Sequence, residues 1–294
     1  MRESRAQLAD SNARIAAARR LTRPAGRREV GLFLAEGAQA VREALRSSDV
    51  VVDVFATAEA FERHHDLLAG VQVDLISQRS AAALSETVTP QGLVAVCRMI
   101  DVSLDVALAK RPDLVVALID SNDPGNAGSI LRTGDAAGAQ VVVLAGGVDI
   151  YNGKAVRATA GSLFHLDVVL TADPASLVST ARAAGFAVLA TAGAGRRDLD
   201  DLVSSGALAR PTLWLFGNEA HGLPGGLLHA ADDSVRVPIH GRAESLNLAA
   251  AAAVCLYASA RALRIRDAVE PGEAVHINSA QVNPAHVNPV KPSS

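Results

Sequence analysis

Aromatic residues make up only 3% of this 294-residue chain: one tryptophan, two tyrosines and six phenylalanines. So few rings cannot build a stacking platform for single-stranded nucleic acid, so any contact with such a partner must run through arginine planes and phosphate charge. Lysine is scarcer still, with Lys110, Lys154 and Lys291 as the whole complement. Cys97 and Cys255 lie in separate halves, neither with a neighbour at CxxC or HxxxH spacing, which argues against a disulfide framework and against any metal site. No apolar run approaches the ~20 residues of a membrane helix; the longest, around Leu248 to Ala258, is Ala-rich and bounded by Asn247 and Ser259. The first residues carry Arg and Glu rather than an apolar export segment, so the expectation is a cytoplasmic protein with no membrane partner.

What is present is an apolar share of 49% and a mean hydropathy of +0.21, enough at this length to bury a sizeable core and to divide into two domains. The net charge of −3 is unevenly spread. Within residues 1–28, Arg2, Arg5, Arg14, Arg19, Arg20, Arg23, Arg27 and Arg28 face only Glu3 and Asp10. That is the footprint of a segment that meets phosphates, or equally of a solvated helix in an arginine-rich chain.

Hydrophobic periodicity predicts an α/β chain in two parts. The first reads as a helix over 4–21, strand 33–35, helix 38–46, strand 50–56, helix 59–68, and strands 71–76 and 93–97, with a junction over 101–113. The second reads as strand 114–119, helix 127–137, strands 141–144 and 168–170, helix 175–184, strands 187–192 and 212–216, and a long helix from about Leu246 to Arg264. Unbroken β-branched runs such as Val141-Val142-Val143 suit strands of a parallel sheet covered on both faces. The prolines among Asn, Ser and Gln near the end predict a disordered tail over 269–294.

Three stretches in the second half bear chemistry. Asp123-Pro124-Gly125-Asn126 follows a strand and opens a helix, with Asn126 well typed as its cap and Arg132 nearly two turns on. Phe216-Gly217-Asn218-Glu219 through Gly222 ends an apolar strand in a sharp turn that sets a carboxylate at the sheet edge. Val237-Pro238-Ile239 through Ser245-Leu246-Asn247 leads into the last helix, with Ser245 as its expected cap and Asn247 in its first turn. Taken singly, each also reads as an ordinary cap, an acidic turn or a surface charge. The glycine-rich turns lack GxGxxG and its acidic partner, which argues against a dinucleotide-dependent oxidoreductase.

Together, and in this order, the three stretches resemble the motifs of the SpoU/TrmH family, RNA ribose 2′-O-methyltransferases of the knotted SPOUT class. The segment Lys154 to Phe164 is similar to another stretch common in that family, and Phe33-Leu34-Ala35-Glu36-Gly37 with Val41 to Leu45 resembles a small RNA-binding domain akin to ribosomal protein L30e. The resemblance covers about residues 25–265. It implies an L30e-like substrate-binding domain over 1–105, and a SPOUT domain with a parallel sheet and deep trefoil knot over 106–268. It implies a homodimer through the knotted domain, and S-adenosylmethionine as cofactor, held by Thr191, Ala192, Gly193, Phe216, Gly217, Gly222, Val237, Ile239 and Leu246. Asn126, Arg132, Glu219, Ser245 and Asn247 become the catalytic candidates, and Arg14, Arg19, Arg20, Arg28, Lys154 and Arg157 the RNA contacts. The members closest in layout act on 23S ribosomal RNA, including those conferring thiostrepton resistance. A transfer-RNA enzyme and a non-catalytic knotted RNA-binding protein are the alternatives.

Overall fold

A computed structural model describes residues 6–269, so the expected tail lies, Val269 apart, outside the described residues. The first half comprises α1 (Ala13–Arg20), α2 (Pro24–Val30), β1 (Leu32–Glu36), α3 (Ala38–Arg46), β2 (Val51–Ala56), α4 (Ala58–Arg63), β3 (Asp74–Leu75), α5 (Gln78–Ala83) and β4 (Leu93–Arg98). Its sheet has the order β1-β4-β2-β3, with β4 antiparallel to both neighbours. After it come α6 (Leu104–Ala109), β5 (Leu114–Ile119), α7 (Pro124–Ala137), β6 (Val141–Ala145), α8 (Gly153–Ala158), β7 (Asp167–Thr171), α9 (Pro174–Ala183) and β8 (Ala187–Thr191). The chain closes with β9 (Arg197–Asp198), α10 (Leu199–Ser204), β10 (Thr212–Phe216), α11 (Gly225–Ala230), β11 (Asp233–Arg236) and α12 (Leu248–Val269). The second sheet runs β7-β6-β5-β10-β8-β11-β9, every pairing parallel.

The unbroken apolar runs are explained by burial on both faces. In β5, Leu114, Val116 and Leu118 join a cluster with Ile130, Leu131, Trp214, Phe216 and Leu256, while Val115, Ala117 and Ile119 pack with Leu177, Val178, Leu213 and Leu215. The one polar atom of the buried Trp214 is satisfied, its indole N–H donating to Ser259 Oγ at 2.9 Å.

The halves share a core. Phe33 on β1 packs against Tyr151 (ring centroids 4.8 Å apart) and Phe164 (6.1 Å). Around those rings run ionic bridges. Arg27, 1% exposed, donates from Nη2 to Asp149 Oδ2 at 2.6 Å and from Nη1 to the Leu21 carbonyl at 2.8 Å. Arg157 meets the buried Glu36 at 3.1 Å. His165 lies 2.8 Å from Asp135 on α7 and 3.5 Å from Glu43 on α3, which also pairs with Arg46 at 3.0 Å.

Burial by itself pushes the His165 pKa down, but hydrogen bonding and charge from Asp135 and Glu43 outweigh it and hold the imidazole above its ordinary value. A raised folded pKa means this bridge contributes in full below the unfolded value of about 6.5 and fades as pH rises through the folded one. The melting-temperature gap between wild type and His165→Gln should therefore shrink between about pH 6 and pH 9; a gap that is constant over that range would remove the bridge from the stability of the interface.

Several expected elements differ. The helix over 4–21 is short, because Asn12 caps α1 by accepting from the Arg14 amide, while Leu8 N–H donates to the Leu75 carbonyl at 2.8 Å and Gln7 bridges Leu75 as extended chain. The strand over 71–76 is reduced to β3, and the junction holds α6, capped by Ser103. The last helix begins at Leu248, not Leu246. Contrary to expectation, α12 is long and apolar enough to cross a membrane by length and composition. Here it packs on α7 and β10, burying Ala252, Cys255, Leu256, Ser259, Ala260 and Leu263. Cys97 and Cys255 sit in different elements, their thiols pushed up to about 12 by burial.

Candidate active site

The chain runs outward from β5 through β6 and β7, then returns on the other side of β5 through β8 and β10. The crevice where that order reverses, at the carboxyl ends of the strands, is where open parallel sheets take their ligands. The loops following β5 (120–123), β8 (192–196), β10 (217–224) and β11 (237–247) meet there.

In the first loop Asp123, not Asn126, caps α7: its Oδ1 accepts from Gly125 N–H at 2.8 Å, with Pro124 at the first helical position. Asn126 is thereby released into the first turn. Its Nδ2 donates to Glu219 Oε1 at 3.1 Å, and its Oδ1 accepts from Asn247 Nδ2 at 3.1 Å. Asn247, not Ser245, caps α12, accepting from Ala249 N–H at 2.9 Å and Ala250 N–H at 3.3 Å. Both amide orientations follow from this, because the Asn247 oxygen is committed to the helix and the Asn126 nitrogen must face a carboxylate. Ser121, 1% exposed, completes the chain by donating its hydroxyl to Glu219 Oε1 at 2.8 Å, while Asn122 N–H reaches Glu219 Oε2 at 3.3 Å.

Burial alone would raise the Glu219 pKa, but the hydrogen bonds from its own backbone N–H, Asn126, Ser121 and Asn122 hold it below the ordinary carboxylate value. The group is ionised at neutral pH and acts only as an acceptor.

The turn after β10 is bound to the same loop. Asn218 Nδ2 donates to the Asp120 carbonyl at 2.7 Å, and Asn218 and Gly222 exchange backbone hydrogen bonds of 3.0 and 2.8 Å. Gly217 is required by close approach: a Cβ there would lie 2.3 Å from Gly222 C and 2.4 Å from Leu223 N. On the same edge, Thr191 Oγ1 donates to the Leu215 carbonyl at 3.0 Å and Ala192 N–H to the Val235 carbonyl at 2.9 Å. Phe216 is buried, Val237 half-buried, Gly193 open on its Cβ side, and Ile239 and Leu246 are exposed apolar side chains in the last loop.

RlmP of Bacillus subtilis, a 23S rRNA (guanosine(2553)-2'-O)-methyltransferase, is 39% identical over 233 residues, which cover 79% of this chain and 89% of that protein. The SpoU rRNA Methylase family matches residues 113–257. This chain belongs to the SpoU rRNA methylase family. The MRM3-like substrate binding domain matches residues 12–95 of this SpoU protein. Among solved structures, an AdoMet-bound rRNA methyltransferase from Sinorhizobium meliloti superposes with a TM-score of 0.75 at 31% identity, covering 86% of this chain and 96% of that one. The SpoU methyltransferase AviRb from Streptomyces viridochromogenes, in complex with AdoMet, does so at 0.74 and 32%, covering 86% and 98%.

Not every candidate residue of this SpoU protein joins the cluster. Ser245 is exposed, with no hydrogen bond among the described residues. Arg132 stands on the exposed side of α7, outside the Asn247–Asn126–Glu219–Ser121 chain and without a carboxylate partner among the described residues. Four of the cations expected on RNA are held by acids: Arg14 by Asp53 and Asp74, Arg20 by Glu29, Lys154 by Asp123 and Arg157 by Glu36. Arg19 and Arg28 have no such partner among the described residues. Ser121 and Asp120 went unnoticed in the sequence, and Asn218 was read only as part of its motif, since a polar pair after a strand is the commonest way for a strand to end.

Proposed function

We propose that this SpoU protein transfers a methyl group from S-adenosylmethionine to a ribose 2′-hydroxyl of 23S ribosomal RNA. The carrying observation is the hydrogen-bonded chain Asn247–Asn126–Glu219–Ser121, which ties three separate loops together at the sheet's switch point. The 23S rRNA methyltransferase activity of RlmP and the AdoMet held by the structural neighbours support the same reading. Exposed Ile239 and Leu246 and half-buried Val237 offer apolar cover, and the backbone of Thr191 to Gly193 and of Phe216, Gly217 and Gly222 offers amide contacts, both suited to an adenosine. S-adenosylmethionine supplies an already electrophilic sulfonium methyl, so the protein's task is chiefly alignment and exclusion of water.

Asn126, Glu219, Ser245 and Asn247 are assigned to positioning. A guanidinium keeps its proton, with a pKa of about 12.5–13.8, so Arg132 is assigned to orient a phosphate and stabilise negative charge developing on the ribose oxygen. The domain division at 105/106, the deep trefoil knot made by threading the C-terminal segment through a loop, and the cytoplasm as compartment belong to the same proposal. So do the RNA contacts of the N-terminal domain through Arg14, Arg19, Arg20, Arg28, Lys154 and Arg157.

A homodimer is part of it as well. Tyr257 (54% exposed) and Ile265 (55% exposed) on α12 line a groove with Ala136 and Ala137 of α7, the helix that carries Arg132. Incubation with labelled S-adenosylmethionine and unmodified 23S rRNA or transfer RNA, followed by ribose-methylation mapping, tests the activity; label entering neither RNA rejects it. Light scattering tests the dimer, which Ile265→Asp should split.

A further inference from the structure

Between the two halves lies a cavity of about 420 Å³, within the range of small-ligand sites. Arg28 of α2 and Met99 wall it on the N-terminal side, and Val148 and Asp149, past the end of β6, with Leu170 and Thr171, the last residues of β7, on the other. We propose that this cavity takes one nucleotide of the RNA substrate, next to the one being methylated, with its phosphate on Arg28 and its sugar or base against Leu170 and Met99. This rests on the reading of the protein as an RNA methyltransferase, and adds to it the place of a flanking nucleotide.

Four observations carry it. The first is charge: Arg28 has no acid partner among the described residues, whereas Arg14, Arg20, Lys154 and Arg157 do. Asp149 also lines the cavity, but its Oδ2 is taken by the buried Arg27 and its Oδ1 accepts from Tyr151 N–H at 2.9 Å. Of the two charged residues that line the cavity, Arg28 is therefore the one left to meet a phosphate.

The second is preorganisation. The Arg27–Asp149 bonds anchor α2 against the second half of the chain, so the backbone of Arg28 is in place before RNA arrives. The third is the wall opposite. Leu170 is 47% exposed at the end of a strand whose inner residues are buried, and Thr171 Oγ accepts from Asp173 N–H at 3.1 Å, which leaves its hydroxyl proton for a ligand acceptor. An apolar face with a single donor suits a base or a ribose.

The fourth is adjacency. Val148 N–H donates to the Ser121 carbonyl at 2.7 Å, and the Ser121 hydroxyl holds Glu219. One residue, Ser121, thus joins the lining of the cavity to the candidate active site, as adjacent nucleotides of one strand require.

The test measures Kd for a 23S rRNA transcript by filter binding across a salt series, separately from methylation. Arg28→Ala should weaken binding about tenfold and reduce the slope of log Kd against log salt by about 0.9, the effect of one phosphate contact. Arg28→Lys should keep the slope, and Leu170→Asp should weaken binding with an unchanged melting temperature. Arg63→Ala, whose guanidinium is paired with Glu59 on α4, should change neither. Unchanged Kd and slope in both Arg28→Ala and Leu170→Asp overturns the cavity even if the wild type methylates RNA. Wild-type protein that binds the transcript with the expected slopes but transfers no methyl group rejects the activity and leaves the cavity standing.

Discussion

Replacing Arg132 by alanine is expected to lower methyl transfer by about 10²- to 10³-fold, the usual cost of removing one donor that stabilises a developing oxyanion. Affinity for S-adenosylmethionine, measured by calorimetry, should stay within about twofold, because the loops proposed to hold it belong to other elements and, among the described residues, no hydrogen bond or ion pair joins them to Arg132. Arg132→Lys keeps the charge but loses the planar fork, so it should recover only part of the rate. Within one chain Arg132 stands outside the Glu219 cluster, on the same helix as the residues that border the α7–α12 groove. If it completes the site of a second copy, Arg132→Ala mixed with Gly217→Ala should regain activity that neither has alone. Gly217→Ala spoils its own crevice, because the new Cβ has no room beside Gly222 and Leu223. Wild-type rates in Arg132→Ala would take this residue out of the mechanism.

How far the sequence could be read depended on the kind of force involved. The strands of the second sheet were legible because burial on both faces demands unbroken apolar runs, as in Val141 to Val143. Helices α5, α8, α10 and α11 are six residues each, too short to write a periodic stripe. Asn126, Glu219 and Asn247 were found through motifs that resemble a family, yet their bonds were not. Which of Asp123 and Asn126 caps α7 is a competition that Asp123 wins by standing directly before a proline at the first helical position, and only the loser is free to reach Glu219. The same choice between Ser245 and Asn247 turned the amide of Asn247 toward the cluster. Arginine counts along the N-terminus could not say which cations are already neutralised, since Asp53 and Asp74, which hold Arg14, come from strands later in the chain.

Glu219 is where a change of one atom should be felt most sharply. Its Oε1 accepts from Ser121 and Asn126, and its Oε2 from Asn122 N–H. Glutamine is isosteric but must turn an NH₂ toward one of these. If it faces Asn122, two N–H groups oppose each other. If it faces Asn126, that amide must flip and present its own NH₂ to Asn247, whose oxygen is already committed to Ala249 and Ala250 and cannot swing round to accept. No re-registration of the chain satisfies every donor, so the three loops lose their common tie. Hydrogen bonds to a charged group are worth about 1.5–3 kcal/mol, which sets the expected fall in kcat for Glu219→Gln at about 10- to 10²-fold. Glu219→Ala should fall further, because it also strands the buried Ser121 hydroxyl. The pH profile separates alignment from proton transfer: with a pKa below the ordinary carboxylate value, Glu219 stays ionised throughout the working range. Wild type and Glu219→Gln should therefore give kcat profiles of the same shape between about pH 5 and pH 9, displaced only in height. An acidic limb present in the wild type and missing from the variant would make Glu219 the proton acceptor, and an undiminished kcat in Glu219→Gln would dissolve the cluster as the basis of the mechanism.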